Sequence, residues 1–267
     1  MGEHGHHPGN RLRRRHRLFA QAVLHVRPRL AKWRAPPAAR TAICSLLGRE
    51  LPARQAGTHD RDVQIDHLVY VAVDLDVATE RLERDLGVQP AFGGRHPSFG
   101  THNALLGLGG RTYLEALAPD PGAAQPATPG VFGLADENAS ELLATWAIAC
   151  DDIEAAIAHA RERGFDVGDP VPVERVDEDG HLLTWQLTVN FLAGGPMPFL
   201  IDWGRTPHPS QSAPTGLVLE QLHIEHPDPD ALQQGLAALD AKVDVRRAGC
   251  PALVARVRGP HGTVELR

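Results

Sequence analysis

Long apolar runs are missing from this chain. No stretch approaches the roughly 18 to 20 apolar residues that a membrane-spanning helix needs, so no membrane partner is expected. Cysteine is scarce. Cys44, Cys150 and Cys250 are odd in number and far apart. That excludes a disulfide framework and a CxxC metal site, and makes a reducing, cytoplasmic setting the default. No GxGxxG loop precedes a helix, and there is no Walker sequence, no GxSxG and no HExxH. Nucleotide-dependent and serine-hydrolase readings lose their usual carriers.

Acidic residues are almost absent from one end only. The first 57 residues hold 12 Lys and Arg against two acids, Glu3 and Glu50, so the formal net charge of −6 hides a strongly acidic remainder. An acidic body argues against nucleic acid as the main partner, because phosphate contacts need clustered basic side chains on a folded surface. Residues 1–60 also carry Arg13-Arg14-Arg15, Arg27-Pro28-Arg29 and Ala35-Pro36-Pro37. Such a basic arm has little apolar surface to bury and is expected to be disordered. Three readings stay open for it: a solvated tail, an Arg-rich transit peptide with a single serine, Ser45, or residues upstream of a true start near Val63.

The body shows a repeated pattern. Ile65 to Val73 alternates as a strand, Asp74-Leu75-Asp76 caps a helix over Val77 to Leu86, and Gly87 stops it. Extended structure resumes at Gln89 to Phe92, with Gly93-Gly94 as a turn or bulge. Thr101 to Leu108 and Arg111 to Leu117 follow as strands around Gly109-Gly110. The order is β-α-β-β-β over residues 64–119. After a linker rich in Pro, Ala and Gly, from Pro119 to about Gly133, the order repeats over 141–205. Leu143 to Ala149, a helix over Ile153 to Arg163, Val171 to Val176, Leu182 to Leu192 and Met197 to Trp203 make up that unit. Laying Asp76 on Asp152 sets His67 over Leu143, so the second unit lacks the histidine of the first. A third, shorter copy spans 215–267. Units of about 50 residues are too small to bury both faces of their own sheet. The expected fold class is α+β, with βαβββ modules paired into a curled sheet around a cavity.

Within the first unit, His67 stands near the start of its first strand and Glu115 near the middle of its fourth, with His96 between. This arrangement resembles the vicinal oxygen chelate (VOC) superfamily: glyoxalase I, extradiol dioxygenases and bleomycin-resistance proteins. More narrowly it resembles the glyoxalase-like domain proteins. The carriers are Asp66-His67, the segment from His96 to Gly100-Thr101-His102-Asn103, and Tyr113-Leu114-Glu115. In the second unit they are Arg175, Asp179-Gly180, Trp185 and Pro198 to Trp203. The resemblance implies a divalent metal (Zn, Fe, Ni or Mn) on His67, Glu115 and His96, leaving positions open for substrate oxygens.

Each residue has a plainer reading. His67 and Glu115 can form a hydrogen bond across a polar cavity without metal. His96, third ligand or general base, can be a loop histidine beside Pro97. Thr101 and Asn103 share a strand face and can bind substrate or satisfy a sheet edge. Arg175 can anchor a substrate carboxylate through its planar fork, or pair with Glu174 or Asp177 at the surface. Trp185 can line the cavity or be plain core. In the third copy Gln221 and Glu265 take the places of His67 and Glu115. Two functions follow. One is a metal-dependent isomerase, lyase or dioxygenase acting on a small oxygenated metabolite, with His96 or Glu115 moving a proton. The other is a non-catalytic small-molecule binder of the bleomycin-resistance kind. Repeats that mediate a homodimer are a third expectation.

Overall fold

The computed structural model describes residues 64–124, 141–188 and 195–267. The basic arm, most of the linker expected over 119–133 and the end of the strand expected to reach Leu192 lie outside the described residues.

The first unit runs β1 (Ile65–Val71), α1 (Leu75–Leu86), β2 (Ala91–His96), β3 (Thr101–Gly107) and β4 (Tyr113–Pro119). Asp74 caps α1 by accepting the N–H groups of Asp76 and Val77. Gly87 ends it at φ 82°, a left-handed position glycine takes at little cost. Leu75, Ala78, Leu82 and Leu86 recur at helical spacing and are buried. Each leucine so buried contributes about 1.5 to 3 kcal/mol. Gly93-Gly94 forms a bulge inside β2, where its register to β3 slips between Phe92 and Gly94.

The second unit repeats the order: β5 (Leu142–Ala149), α2 (Ile153–Glu162), β6 (Pro170–Val176), β7 (Leu182–Thr188) and β8 (Phe199–Asp202). Asp152 caps α2. The equivalent caps are therefore Asp74 and Asp152, not Asp76 and Asp152. This two-residue correction sets Thr145, rather than Leu143, at the place of His67, and Phe199 at the place of Glu115.

The eight strands close a barrel in the order β1-β4-β3-β2-β6-β7-β8-β5. In each unit the first strand pairs in parallel with the fourth, as β1 does with β4 and β5 with β8. The units join along β1 and β5 over a long antiparallel register, and along β2 and β6 through the single pair Arg95–Val176. Strand alternation then makes two cores. Leu68, Tyr70, Leu106, Leu114 and Trp146 face outward beneath the helices and the C-terminal unit. Val69, Leu105, Tyr113, Trp185, Phe199 and Ile201 face into the barrel.

The C-terminal unit holds β9 (Val218–His226), α3 (Pro229–Ala238), β10 (Asp244–Arg247), β11 (Ala252–Gly259) and β12 (Gly262–Leu266). Its element order matches the other units, but its sheet runs β10-β9-β11-β12, with β9 parallel to β10. Gln221 and Glu265 are exposed on β9 and β12 and both register with Arg256 of the intervening β11. They form no enclosed site. The linker before this unit runs along the barrel, where Gly107 N–H donates to Pro214 O at 2.8 Å.

Candidate active site

One cavity of about 60 Å³ lies inside the barrel. It has room for a few waters or for a ligand head of a few non-hydrogen atoms. All seven site residues singled out in the sequence line it: His67, His96, Thr101, Asn103 and Glu115 from the first unit, and Arg175 and Trp185 from the second. Six of them, all but Glu115, are buried. The barrel gathers them because each occupies an inward position of its strand, or its edge.

His67 is held from behind. Its Nδ1 lies 2.6 Å from Asp66 Oδ1. Neighbouring residues of a regular strand point to opposite faces, but the β1–β5 register slips between Ile65 and His67. The slip lets Asp66 and His67 meet. Asp66 is 1% exposed. Burial alone would raise its carboxyl, yet hydrogen bonds from His208 and His67 outweigh it and hold Asp66 at about 2. An ionised carboxylate only accepts, so His67 Nδ1 carries a proton toward Asp66. Nε2 is then left on the cavity side, 3.7 Å from Glu115 Oε2. The ring stacks on Tyr113 at 4.7 Å and meets the edge of Phe199 at 5.5 Å.

Glu115 is fixed by Asn103, whose Nδ2 donates to Oε1 at 2.6 Å. That contact orients the amide and leaves Asn103 Oδ1 buried without a partner. The close approach depends on Gly93, where an added Cβ would fall 2.4 Å from Asn103 Oδ1 and 3.0 Å from Arg175 Nη1. The bulge glycines thus make room for two of the polar groups.

His96 lies apart from this pair. Its Nδ1 is 3.2 Å from Thr101 Oγ1, and its ring stands edge-on to Trp185. Burial pushes His96 down to about 4, Glu115 opposes the shift, and Arg175 and His102 reinforce it. At neutral pH it is a neutral imidazole. Arg175 is 6% exposed, and among the described residues it forms no ion pair, so the expected surface pairing with Glu174 or Asp177 is not formed. Its Nε is buried without an acceptor, as is Trp185 Nε1. Buried donors without partners are rare in folded proteins and mark unspent hydrogen-bonding capacity.

The donor set bears on the metal expectation. The first unit supplies two donors at ligand-like separation, His67 Nε2 and Glu115 Oε2. His96 does not join them. Among the described residues, the one group of three His, Cys, Asp or Glu side chains with donor atoms all within 4.8 Å of one another is Asp177, Asp179 and His181. That group sits in the β6–β7 turn, where Asp177 Oδ1 already accepts the N–H groups of Asp179 and His181. The second unit lines the cavity with Val173, Leu187, Phe199, Ile201, two tryptophans and the Arg175 cation. Two donors in a cavity that also holds a guanidinium fall short of the three protein ligands that a catalytic zinc takes.

Two residues carry roles the sequence reading did not assign. Asp66 belongs to the Asp-His pair, but its function as anchor needs the register slip to show it. His208 lies between Pro207 and Pro209 in the linker, where no pattern marks it. Its Nε2 reaches Asp66 Oδ2 at 2.9 Å, beside Trp203 Nε1 at 3.1 Å.

Comparison with known proteins agrees with the fold. The family model described as "Glyoxalase-like domain" matches residues 65–239. A hypothetical protein from Staphylococcus aureus is similar in structure at 15% identity and a TM-score of 0.52, over 75% of this chain and 83% of that one. Methylmalonyl-CoA epimerase from Mycobacterium tuberculosis is similar at 19% identity and a TM-score of 0.39, over 58% of this chain and 96% of that one. A hypothetical protein from Bacillus halodurans C-125 is similar at 16% identity and a TM-score of 0.36, over 54% and 95%. At these identities the likeness concerns the fold alone. A search of curated protein sequences finds no match.

Proposed function

This chain belongs to the glyoxalase-like domain family of the VOC superfamily, and we propose that its barrel cavity binds a small oxygenated carboxylate and moves a proton on it. The observation that carries this reading is an oriented base and an arginine without an ion pair lining one cavity. Asp66 holds His67 with Nε2 on the cavity side, and Arg175 lines the same cavity as Glu115 but forms no ion pair with it, its Nε lacking an acceptor among the described residues. A guanidinium pairs bidentately with a carboxylate, and that pairing would relieve its unpartnered Nε.

The chemistry follows from those positions. His67 Nε2 takes the proton from a carbon next to a carbonyl, and the electron pair moves onto the carbonyl oxygen as an enolate. Buried donors such as Trp185 Nε1 suit that developing charge. Return of the proton to another position isomerises the substrate, and loss of a leaving group from the neighbouring carbon makes a lyase. We assign the base to His67 rather than His96, because an imidazole held at about 4 is a poor proton acceptor at neutral pH. His96, Thr101 and Asn103 position substrate and wall. The donor set supports no step through a metal.

The test is ligand-observed NMR with a panel of small 2-oxo and 2-hydroxy carboxylates in D₂O. Binding together with deuterium incorporation next to the carbonyl supports the reading. Binding without exchange in every case indicates the non-catalytic binder, and no binding at all overturns both.

A further inference from the structure

We infer that His208, delivered by the linker after the second module, is a positioning residue for the His67 base. This rests on the reading of His67 as the proton-moving group. Asp66 sits between two histidines. Its Oδ1 takes His67 Nδ1 at 2.6 Å, and its Oδ2 takes His208 Nε2 at 2.9 Å and Trp203 Nε1 at 3.1 Å. All three of Asp66, His67 and His208 are at most 4% exposed.

The tautomer of His208 follows from its other nitrogen. Ser210 N–H donates to His208 Nδ1 at 3.2 Å, and Ser210 Oγ lies 2.8 Å away. A nitrogen that accepts a backbone N–H is unprotonated, so Nε2 carries the proton and donates to Asp66. The contact is built into the chain, since His208 caps the single helical turn Pro209–Gln211. The ring is also held edge-on to Tyr113 at 5.7 Å and Trp203 at 5.6 Å. The linker is anchored in turn by the Gly107–Pro214 hydrogen bond and by Ala213, which is buried against the inner core.

The consequence concerns Asp66. A buried carboxylate keeps one rotamer and stays ionised only while its oxygens are occupied by donors. With His208 removed, Oδ2 keeps Trp203 alone, and Asp66 can turn from His67 or take up a proton. Either change releases His67 Nδ1 and lets the ring adopt the other tautomer, which places a proton on the nitrogen that must accept one. The base is therefore incomplete in the two-module barrel by itself. The segment leading to the C-terminal unit finishes it.

The test reads His67 directly and needs no substrate. Long-range ¹H–¹⁵N NMR of the full chain reports which ring nitrogen of His67 is protonated, in the wild type, His208→Phe and His208→Gln. Dispersed amide spectra verify folding. Glutamine keeps a donor near the position of Nε2, and phenylalanine keeps bulk without one. The expected result is a dominant Nδ1–H tautomer in the wild type, a fall of about tenfold in the tautomer ratio in His208→Phe, and recovery in His208→Gln. An unchanged His67 tautomer in folded His208→Phe overturns the inference and leaves the base assignment standing. A wild type without the Nδ1–H tautomer overturns the base assignment and this inference with it. Should His208→Phe fail to fold, His208→Leu, which also removes the donor, is read in its place by the same two outcomes.

Discussion

The two halves of the barrel share a scaffold and divide the chemistry. Both run strand, helix, three strands, both cap the helix with aspartate, and both pair the first strand in parallel with the fourth. Yet the first half contributes His67, His96, Thr101, Asn103 and Glu115 to the cavity, whereas the second contributes apolar walls and one cation, Arg175. At the place of His67 the second half has Thr145, and at the place of Glu115 it has Phe199. The outer core tolerates no such divergence, because both helices must bury the same kind of stripe. The inner face is free to differ, because a cavity does not have to be filled. In the proposed function one half holds the proton-moving groups, and the other holds the substrate by charge and shape.

The largest effect should come from the base. His67→Ala is expected to lower deuterium exchange on the substrate about a thousandfold while binding persists, because general base catalysis is typically worth about 10² to 10⁴. NMR exchange rates beside a binding titration check this. Equal loss of both would mean that His67 is a binding group, like the wall it faces.

The shared scaffold is tested by one buried lesion in each helix. Leu82 in α1 and Ile157 in α2 are each buried against the outer core. Leu82→Ala and Ile157→Ala are each expected to cost about 3 kcal/mol in chemical denaturation. A large difference between them would show that one half dominates stability.

His96 gives the first half a pH signature that the second lacks. Its folded value of about 4 lies below the ordinary 6.5. Between those values the unfolded chain binds a proton that the folded protein refuses. Stability therefore rises from pH 4 to 6.5 and is lost as pH falls, by at most about 3 kcal/mol. His96→Asn should flatten that window in pH-dependent unfolding. Asp66 acts lower. Its folded value of about 2 is depressed from 3.8, so its contribution is present above 3.8 and lost as pH falls through about 2.

A smaller effect is expected at the bulge. Gly93→Ala places a Cβ 2.4 Å from Asn103 Oδ1. It should cost about 2 kcal/mol in stability and loosen the Asn103–Glu115 hydrogen bond, which an amide shift of the Asn103 side chain would report.

Much of the fold could be read in the sequence, because aspartate caps, glycine stops and two-residue alternation are local signals. The cavity residues were legible too, but only as types at inward positions. Four things were not. The two-residue offset between the helix caps needed the actual hydrogen bonds at Asp74. The meeting of Asp66 with His67 needed a register slip that no residue pattern encodes. His208 comes from a loop whose path depends on the packing of Ala213 and Pro214 against the barrel. The C-terminal sheet order was also hidden, since strand order within a unit is decided by tertiary packing rather than by local sequence.

In the proposed function the cavity is an anion site held by Arg175 without a resident metal. This is tested most directly by calorimetric titration of a binding carboxylate into EDTA-treated wild type and Arg175→Met. The expected result is binding in EDTA that weakens at least about thirtyfold in the variant, as loss of one partner in a buried charge pair costs about 2 kcal/mol or more. Binding that requires added Zn, Fe, Ni or Mn, or that is unchanged in Arg175→Met, would contradict it.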